Sequence, residues 1–176
     1  EICQNLPLEI FLVFCNSPPN RKGVISRMSK ETILLGSDHG GLELKNIIKN
    51  YLETTDLNNS YELKDIGTYQ EDSVDYPDYA KKMAETIQEN KNYIGILFCG
   101  TGIGMSIMAN RYKGVRAALV FDTFTAKMAK EHNNANIICI GGRTTNKETA
   151  KELVKTWLTG KFEGGRHQKR IDKFDN

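Results

Sequence analysis

The stretch from Tyr93 to Met105 constrains the chain more than any other. Residues 93–99, Tyr-Ile-Gly-Ile-Leu-Phe-Cys, have the length and apolarity of a buried strand. The run breaks at Gly100-Thr-Gly-Ile-Gly104, and the small and apolar residues of 105–112 predict a buried helix. Such a strand-to-helix turn presents backbone N–H groups at the helix N-terminus, which bind anions or stabilise developing negative charge. Cys99 stands at its mouth. The residues suggest a thiol that takes up a proton beside a turn that holds the resulting oxyanion.

The same order of strand, turn and helix repeats along the chain. Residues 32–35 predict a strand that stops at Gly36-Ser-Asp-His-Gly-Gly41, and Leu44, Ile47, Ile48, Tyr51 and Leu52 follow at helical spacing. Residues 61–66 alternate as a second strand. A polar loop over 72–79 leads into a helix marked by Tyr79, Ala80, Met83, Ala84 and Ile87. Residues 115–120 form a fourth strand, and Asp122 or Thr123 caps a helix reaching about His132. Residues 136–140 form a fifth, ended by Gly141-Gly-Arg143. Asn146 caps a last helix carrying Ala150, Leu153, Val154, Trp157 and Leu158, with Gly160 placed as a left-handed C-terminal cap.

Five such repeats, with strands apolar on both faces, predict an α/β fold: a Rossmann-like open five-stranded parallel sheet with helices on both faces, three layers in all. Ligands of such sheets bind beyond the carboxyl ends of the strands. Asp38-His39, Asp75-Tyr76, Cys99-Thr101 and Gly141-Arg143 all fall there.

The formal net charge is +2 over 176 residues, so bulk charge implies no nucleic-acid partner. Ile10 to Cys15 is too short an apolar run to span a membrane, which takes roughly 20 residues. Glu1 and Glu9 stand where a secretory signal would be basic. Cys3, Cys15, Cys99 and Cys139 have neither CxxC nor zinc-site spacing, and a cytoplasmic, reducing setting is expected. Residues 1–29 are expected to be an appended, poorly ordered extension, and 30–176 the folded domain, with the basic tail 161–176 docking at a subunit interface.

Each candidate residue has an ordinary alternative. Cysteine is most often a small core residue, so Cys99 is either core or the proton-transferring base. Thr101 is equally a helix cap, and His132 a helix C-terminal histidine facing the dipole. Asp38 is a candidate cap and Tyr76 a packed surface aromatic. Arg166, His167 and Arg170 read locally as part of a solvated basic face. The glycine spacing is weak evidence of a ligand by itself.

Six ordered motifs resemble the ribose-5-phosphate isomerase B family, which includes allose- and galactose-6-phosphate isomerases. They are Gly36-Ser-Asp-His-Gly-Gly41, Asp75-Tyr-Pro-Asp-Tyr-Ala80, Cys99-Gly-Thr-Gly-Ile-Gly104, Ala109-Asn-Arg111, Glu131-His-Asn133 and Glu163-Gly-Gly-Arg-His-Gln168. The resemblance runs from about Thr32 to the C-terminus.

It implies an aldose–ketose isomerase of pentose phosphate metabolism that works through a cis-enediolate, without cofactor or metal. It implies a homodimer with shared active sites, with pairing into tetramers in some members. By the same resemblance Cys99 is the base, and Met105 occupies the place where another branch has a glutamate. Thr101 assists proton transfer at the sugar oxygens. Gly100, Gly102, Ile103 and Gly104 form the turn around the enediolate. His132 opens the sugar ring, Asn133 contacts its hydroxyls, and Asp38 and Tyr76 bind the sugar. His39, Arg143, Arg166, His167 and Arg170 form the phosphate set. A hexose 6-phosphate substrate, a non-catalytic sugar-phosphate or nucleotide-binding module, and a thiol redox protein are the competing readings.

Overall fold

The computed structural model describes residues 30–174. The extension expected over 1–29 lies outside them. Strand β1 (Glu31–Ser37) leads through a short 3-10 turn into helix α1 (Leu42–Thr54). Then come β2 (Tyr61–Asp65), α2 (Tyr76–Glu89), β3 (Tyr93–Cys99) and α3 (Ile103–Ala109). After these follow β4 (Ala117–Leu119), α4 (Thr123–Glu131), β5 (Ile137–Gly141), α5 (Lys147–Thr159) and α6 (Arg166–Ile171). All strand pairings are parallel, in the order β2-β1-β3-β5-β4. The chain leaves β1 in one direction to form β2, then crosses back to form β3 on the other side. That reversal opens a crevice between the carboxyl ends of β1 and β3, the usual ligand position in open α/β sheets.

The central strands are apolar on both sides because each side meets a helical layer. Ile33, Leu35, Ile96, Phe98, Ile138 and Ile140 face a core shared with α1, α4 and α5. Leu34, Leu97, Cys99, Ile137 and Cys139 face Met83, Ala84, Met105 and Ala109 of α2 and α3. Fully burying one such aliphatic side chain stabilises by about 1.5–3 kcal/mol, so this two-sided pattern holds the sheet to one register. Trp157 of α5 is fully buried, and its Nε1–H donates to the Ala135 carbonyl at 3.2 Å.

The boundaries differ from expectation where side chains compete with the backbone. Helix α3 starts at Ile103 and ends at Ala109, not at 105 and 112. Asn110 makes paired bonds to the Ala117 backbone, 2.8 Å each way, and so anchors the entry to β4. Strand β4 is shorter than 115–120, because the Arg116 N–H donates to the Asn136 side chain. The edge strand β2 alternates in burial, so two-sided apolarity holds only inside the sheet. Helix α2 begins at Tyr76, since Pro77 in a first turn forfeits no hydrogen bond. Gly160 is extended (φ −66°, ψ 158°), a conformation open to any residue, and is no left-handed cap. The tail adds a helix, α6, that hydrophobic periodicity did not reveal.

Candidate active site

Three turns meet at the carboxyl ends of β1, β3 and β5. Asp38 is buried and caps the 3-10 turn, its Oδ1 accepting from the Gly41 N–H at 3.0 Å. The Asp38 N–H donates to the Phe98 carbonyl, which ties this turn to β3. Cys99 and Gly141 are register partners. The Cys99 carbonyl accepts from Gly142 N–H at 2.7 Å, and the Gly100 carbonyl from Arg143 N–H at 3.0 Å. These bonds bring the Arg143 side chain alongside Gly100, about where a β-carbon there would make ordinary contact.

Cys99 is 5% exposed, and its Sγ accepts from the Gly102 N–H at 3.1 Å. Gly102 has φ +79°, a left-handed conformation that glycine adopts without strain and from which helix α3 starts. Core packing and a directed sulfur therefore coexist at this residue. Cys139, buried on the same face of β5, has its thiol pushed far up by burial, with Cys99 adding to the shift, and stays protonated. Met105 is fully buried in the core.

Around this centre, Thr101 is exposed, and its Oγ1 accepts from the Ile103 N–H at 3.4 Å. Tyr76 lies in the first turn of α2 with its ring across Gly104; a β-carbon there would stand 2.6 Å from a ring carbon. His39 accepts at Nδ1 from the Val74 N–H at 3.3 Å, which fixes the loop before α2 and assigns the ring proton to Nε2. An open groove of about 920 Å³ begins at His39 and runs between α1 and the start of α5, past Glu43, Asn46, Lys147 and Lys151. Cys99 and Thr101 lie outside it.

A second group forms elsewhere. Helix α4 runs back from the end of β4 to the start of β5, so its C-cap, His132, sits at the amino ends of the strands. Asn133 lies there too, its carbonyl accepting from Arg116 Nε. The five residues of β5 alone span roughly 17 Å at about 3.3 Å per residue. The chain therefore separates His132 and Asn133 from Cys99 by the height of the sheet.

The tail joins this lower group. The Glu163 N–H donates to the Glu131 carbonyl at 3.0 Å. Gly164 and Gly165, with φ of +65° and +55°, then turn the chain into α6. His167 is buried and stacks on His132, the ring centroids 4.1 Å apart and the planes 12° from parallel. Glu163 Oε2 lies 3.7 Å from His132 Nε2 and 3.5 Å from His167 Nε2. Arg166 Nε donates to His167 Nε2 at 3.3 Å. Burial lowers the pKa of His167, as do His132, Arg166 and Arg170, while Glu163 opposes them.

The three donor atoms of His132, Glu163 and His167 lie within 4.8 Å of one another, as in a metal cluster. Parallel rings, however, direct their in-plane lone pairs side by side, whereas a tetrahedral ion needs them to converge. The arrangement is a carboxylate facing two stacked imidazoles. The structure thus gathers Asp38, His39, Tyr76, Cys99, Gly100, Thr101, Gly102, Ile103, Gly104 and Arg143 at one edge of the sheet. His132, Asn133, Arg166, His167 and Arg170 lie at the other. Sequence reasoning gave Glu163 no role, although it opens the Glu-Gly-Gly-Arg-His-Gln motif.

Fold and site together define the class: an open α/β protein with a buried thiol that accepts a backbone N–H at its switch-point crevice. Residues 33–174 match the model of the Ribose/Galactose Isomerase family. A putative sugar phosphate isomerase of Bacillus subtilis is 46% identical over 145 residues, 82% of this chain and 95% of that protein. The ribose-5-phosphate isomerase B of Escherichia coli is 38% identical over 140 residues, 80% and 91% of the two chains. Among solved structures, a ribose 5-phosphate isomerase of Thermotoga maritima superposes with a TM-score of 0.77 at 50% identity, covering 84% of this chain and 99% of that one. The ribose-5-phosphate isomerase B of Mycoplasma genitalium, solved with bound ribulose-5-phosphate, gives 0.76 at 42% identity, covering 81% and 92%. This chain belongs to the Ribose/Galactose Isomerase family.

Proposed function

We propose that this chain, a sugar-phosphate isomerase by family, interconverts ribose 5-phosphate and ribulose 5-phosphate with Cys99 as the base. The observation that carries this reading is the 3.1 Å bond from Gly102 N–H to Cys99 Sγ, at the point where three site turns meet. The thiolate removes the C2 proton of the open-chain aldose. The carbonyl π electrons move onto O1 as the C1–C2 double bond of the enediolate forms, and the proton returns at C1 to give the ketose. Gly100, Gly102, Ile103 and Gly104 supply the turn around the developing oxyanion, the kind of preorganised electrostatic help that dominates such reactions. Thr101 shuttles a proton between O1 and O2. Asp38 and Tyr76 hold the sugar.

His132 opens the cyclic substrate with Asn133 on its hydroxyls. Arg143 and His39 hold the phosphate with Arg166, His167 and Arg170. Since these groups occupy opposite edges of one chain, a complete site takes its lower half from a second copy, in a homodimer or a tetramer of two such dimers. A cytoplasmic, reducing setting suits a working thiol. Domain limits of 30–176, with the tail 161–176 at the interface, belong to the same reading.

The test is turnover of ribose 5-phosphate in deuterated water, beside allose and galactose 6-phosphates. A pentose isomerase converts ribose 5-phosphate fastest and exchanges its C2 hydrogen. Preference for a six-carbon sugar would replace the substrate while keeping the chemistry. Binding without exchange would replace isomerisation with a non-catalytic module.

A further inference from the structure

The lower group holds one carboxylate and two stacked imidazoles, and the hydrogen bonds around them differ. His167 Nε2 accepts from Arg166 Nε, so that nitrogen carries no proton and the ring is neutral. Burial and the cations Arg166 and Arg170 favour the same neutral form. Two charged rings 4.1 Å apart would repel. Glu163 Oε2 stands 3.5 Å from His167 Nε2 and 3.7 Å from His132 Nε2; the first nitrogen is taken by Arg166, which leaves His132 Nε2 as the one that can present an N–H to the carboxylate. The Glu163 backbone is itself fixed to the end of α4 through Glu131.

From this geometry we propose that Glu163 is the positioning residue of His132: its carboxylate holds the imidazole as the Nε2–H tautomer and balances the charge when the ring carries a second proton. The inference rests on the reading of His132 as the ring-opening group. Ring opening breaks the bond between C1 and the ring oxygen. The C1 hydroxyl loses a proton as its oxygen becomes the carbonyl, and the ring oxygen gains one. With Nε2–H turned toward Glu163, 3.7 Å away, Nδ1 is the nitrogen that takes the first proton and returns the second. His167, neutral and stacked, keeps the ring plane fixed, and the motif Glu163-Gly-Gly-Arg-His167 acts as one device. Its glycines fold the carboxylate back over the histidine four residues on.

The experiment uses the full chain labelled with 15N-histidine; it has three histidines, so each signal is assigned by single substitution. His132 is expected as the Nε2–H tautomer in the wild type and as a mixture in Glu163→Ala, with Glu163→Asp intermediate. Loss of the orienting carboxylate is expected to lower kcat on cyclic ribose 5-phosphate about tenfold or more, while an open-chain analogue that cannot cyclise is turned over as before. An unchanged His132 tautomer in Glu163→Ala overturns the proposal, as does an equal fall on both substrates. The ring-opening reading is judged separately, by His132→Asn. Equal loss there on cyclic and open-chain substrates removes that reading, while the tautomer measurement still decides whether Glu163 orients the ring.

Discussion

Cys99 is a core residue whose sulfur also meets the turn. The side chain is packed like any core cysteine, and its sulfur is also the acceptor of a backbone N–H from the turn. The glycines made the turn legible in the sequence, because only a chain that must approach closely or take positive φ puts three of them in five residues. The direction of the Gly102 N–H was not legible, since it depends on the backbone path through Gly100 and Thr101. The residue-scale prediction follows from the sulfur's place. Cys99→Ala is expected to lower kcat for ribose 5-phosphate by about 10²–10⁴-fold, the usual worth of a positioned acid–base group. Binding of a sugar phosphate and the far-ultraviolet circular dichroism spectrum are expected to stay unchanged. Near wild-type turnover would remove Cys99 from the chemistry. Glu163 shows the opposite case. Its motif was visible, but a carboxylate next to two glycines has no partner until the tail folds back on α4.

Between elements, the loop from β2 to α2 carries Val74 and Tyr76 into the site, and a buried lysine holds its base. Lys45 of α1 is fully buried, with Nζ 2.8 Å from Asp65 Oδ1 and 2.7 Å from the Thr68 carbonyl, and it sits over the Tyr69 ring. Hydrophobic periodicity hid this residue, because a lysine on a helix reads as solvent-facing. Removing Asp65 strands a buried charge, so Asp65→Ala is expected to destabilise by about 3–5 kcal/mol in urea unfolding. The exposed pair Lys151–Glu148 sets the contrast, and Glu148→Ala is expected to cost under about 1 kcal/mol. Docking of α6 depends on pH. His167 has a pKa below its ordinary value of 6.5. The undocked tail then binds more protons than the docked one across that window, so docking is complete above the ordinary value and weakens as pH falls through it. Amide exchange at Glu163, read at pH 7.5 and at pH 5.5, is expected to accelerate at the lower value beyond the intrinsic pH effect. His167→Asn is expected to abolish that excess.

For the molecule as a whole, alternation of apolar runs and helices was enough to predict the parallel sheet with helices on both faces. It carried no information on the order of strands, because β5 inserts between β3 and β4 only through contacts distant in sequence. Nor did it show that the chain divides its own candidate residues. Cys99 and His132 stand at opposite ends of the strands, so the two cannot both reach one sugar within a single chain. If two copies complete each other, a Cys99→Ala chain lacks only the upper half of a site and a His132→Asn chain only the lower. Neither variant alone forms an intact site. In a random mixture about half of the dimers are heterodimers, each with one intact site of two, so about a quarter of the wild-type activity on cyclic ribose 5-phosphate is expected to return. Co-expression, or joint refolding of the two chains, followed by an isomerase assay measures this. No recovery from mixed dimers would place both halves of the reaction within one chain, which the height of the sheet forbids unless His132 has no part in the chemistry. The mixture therefore tests the dimer and the role of His132 with one number, and the activity of His132→Asn alone on an open-chain analogue separates the two.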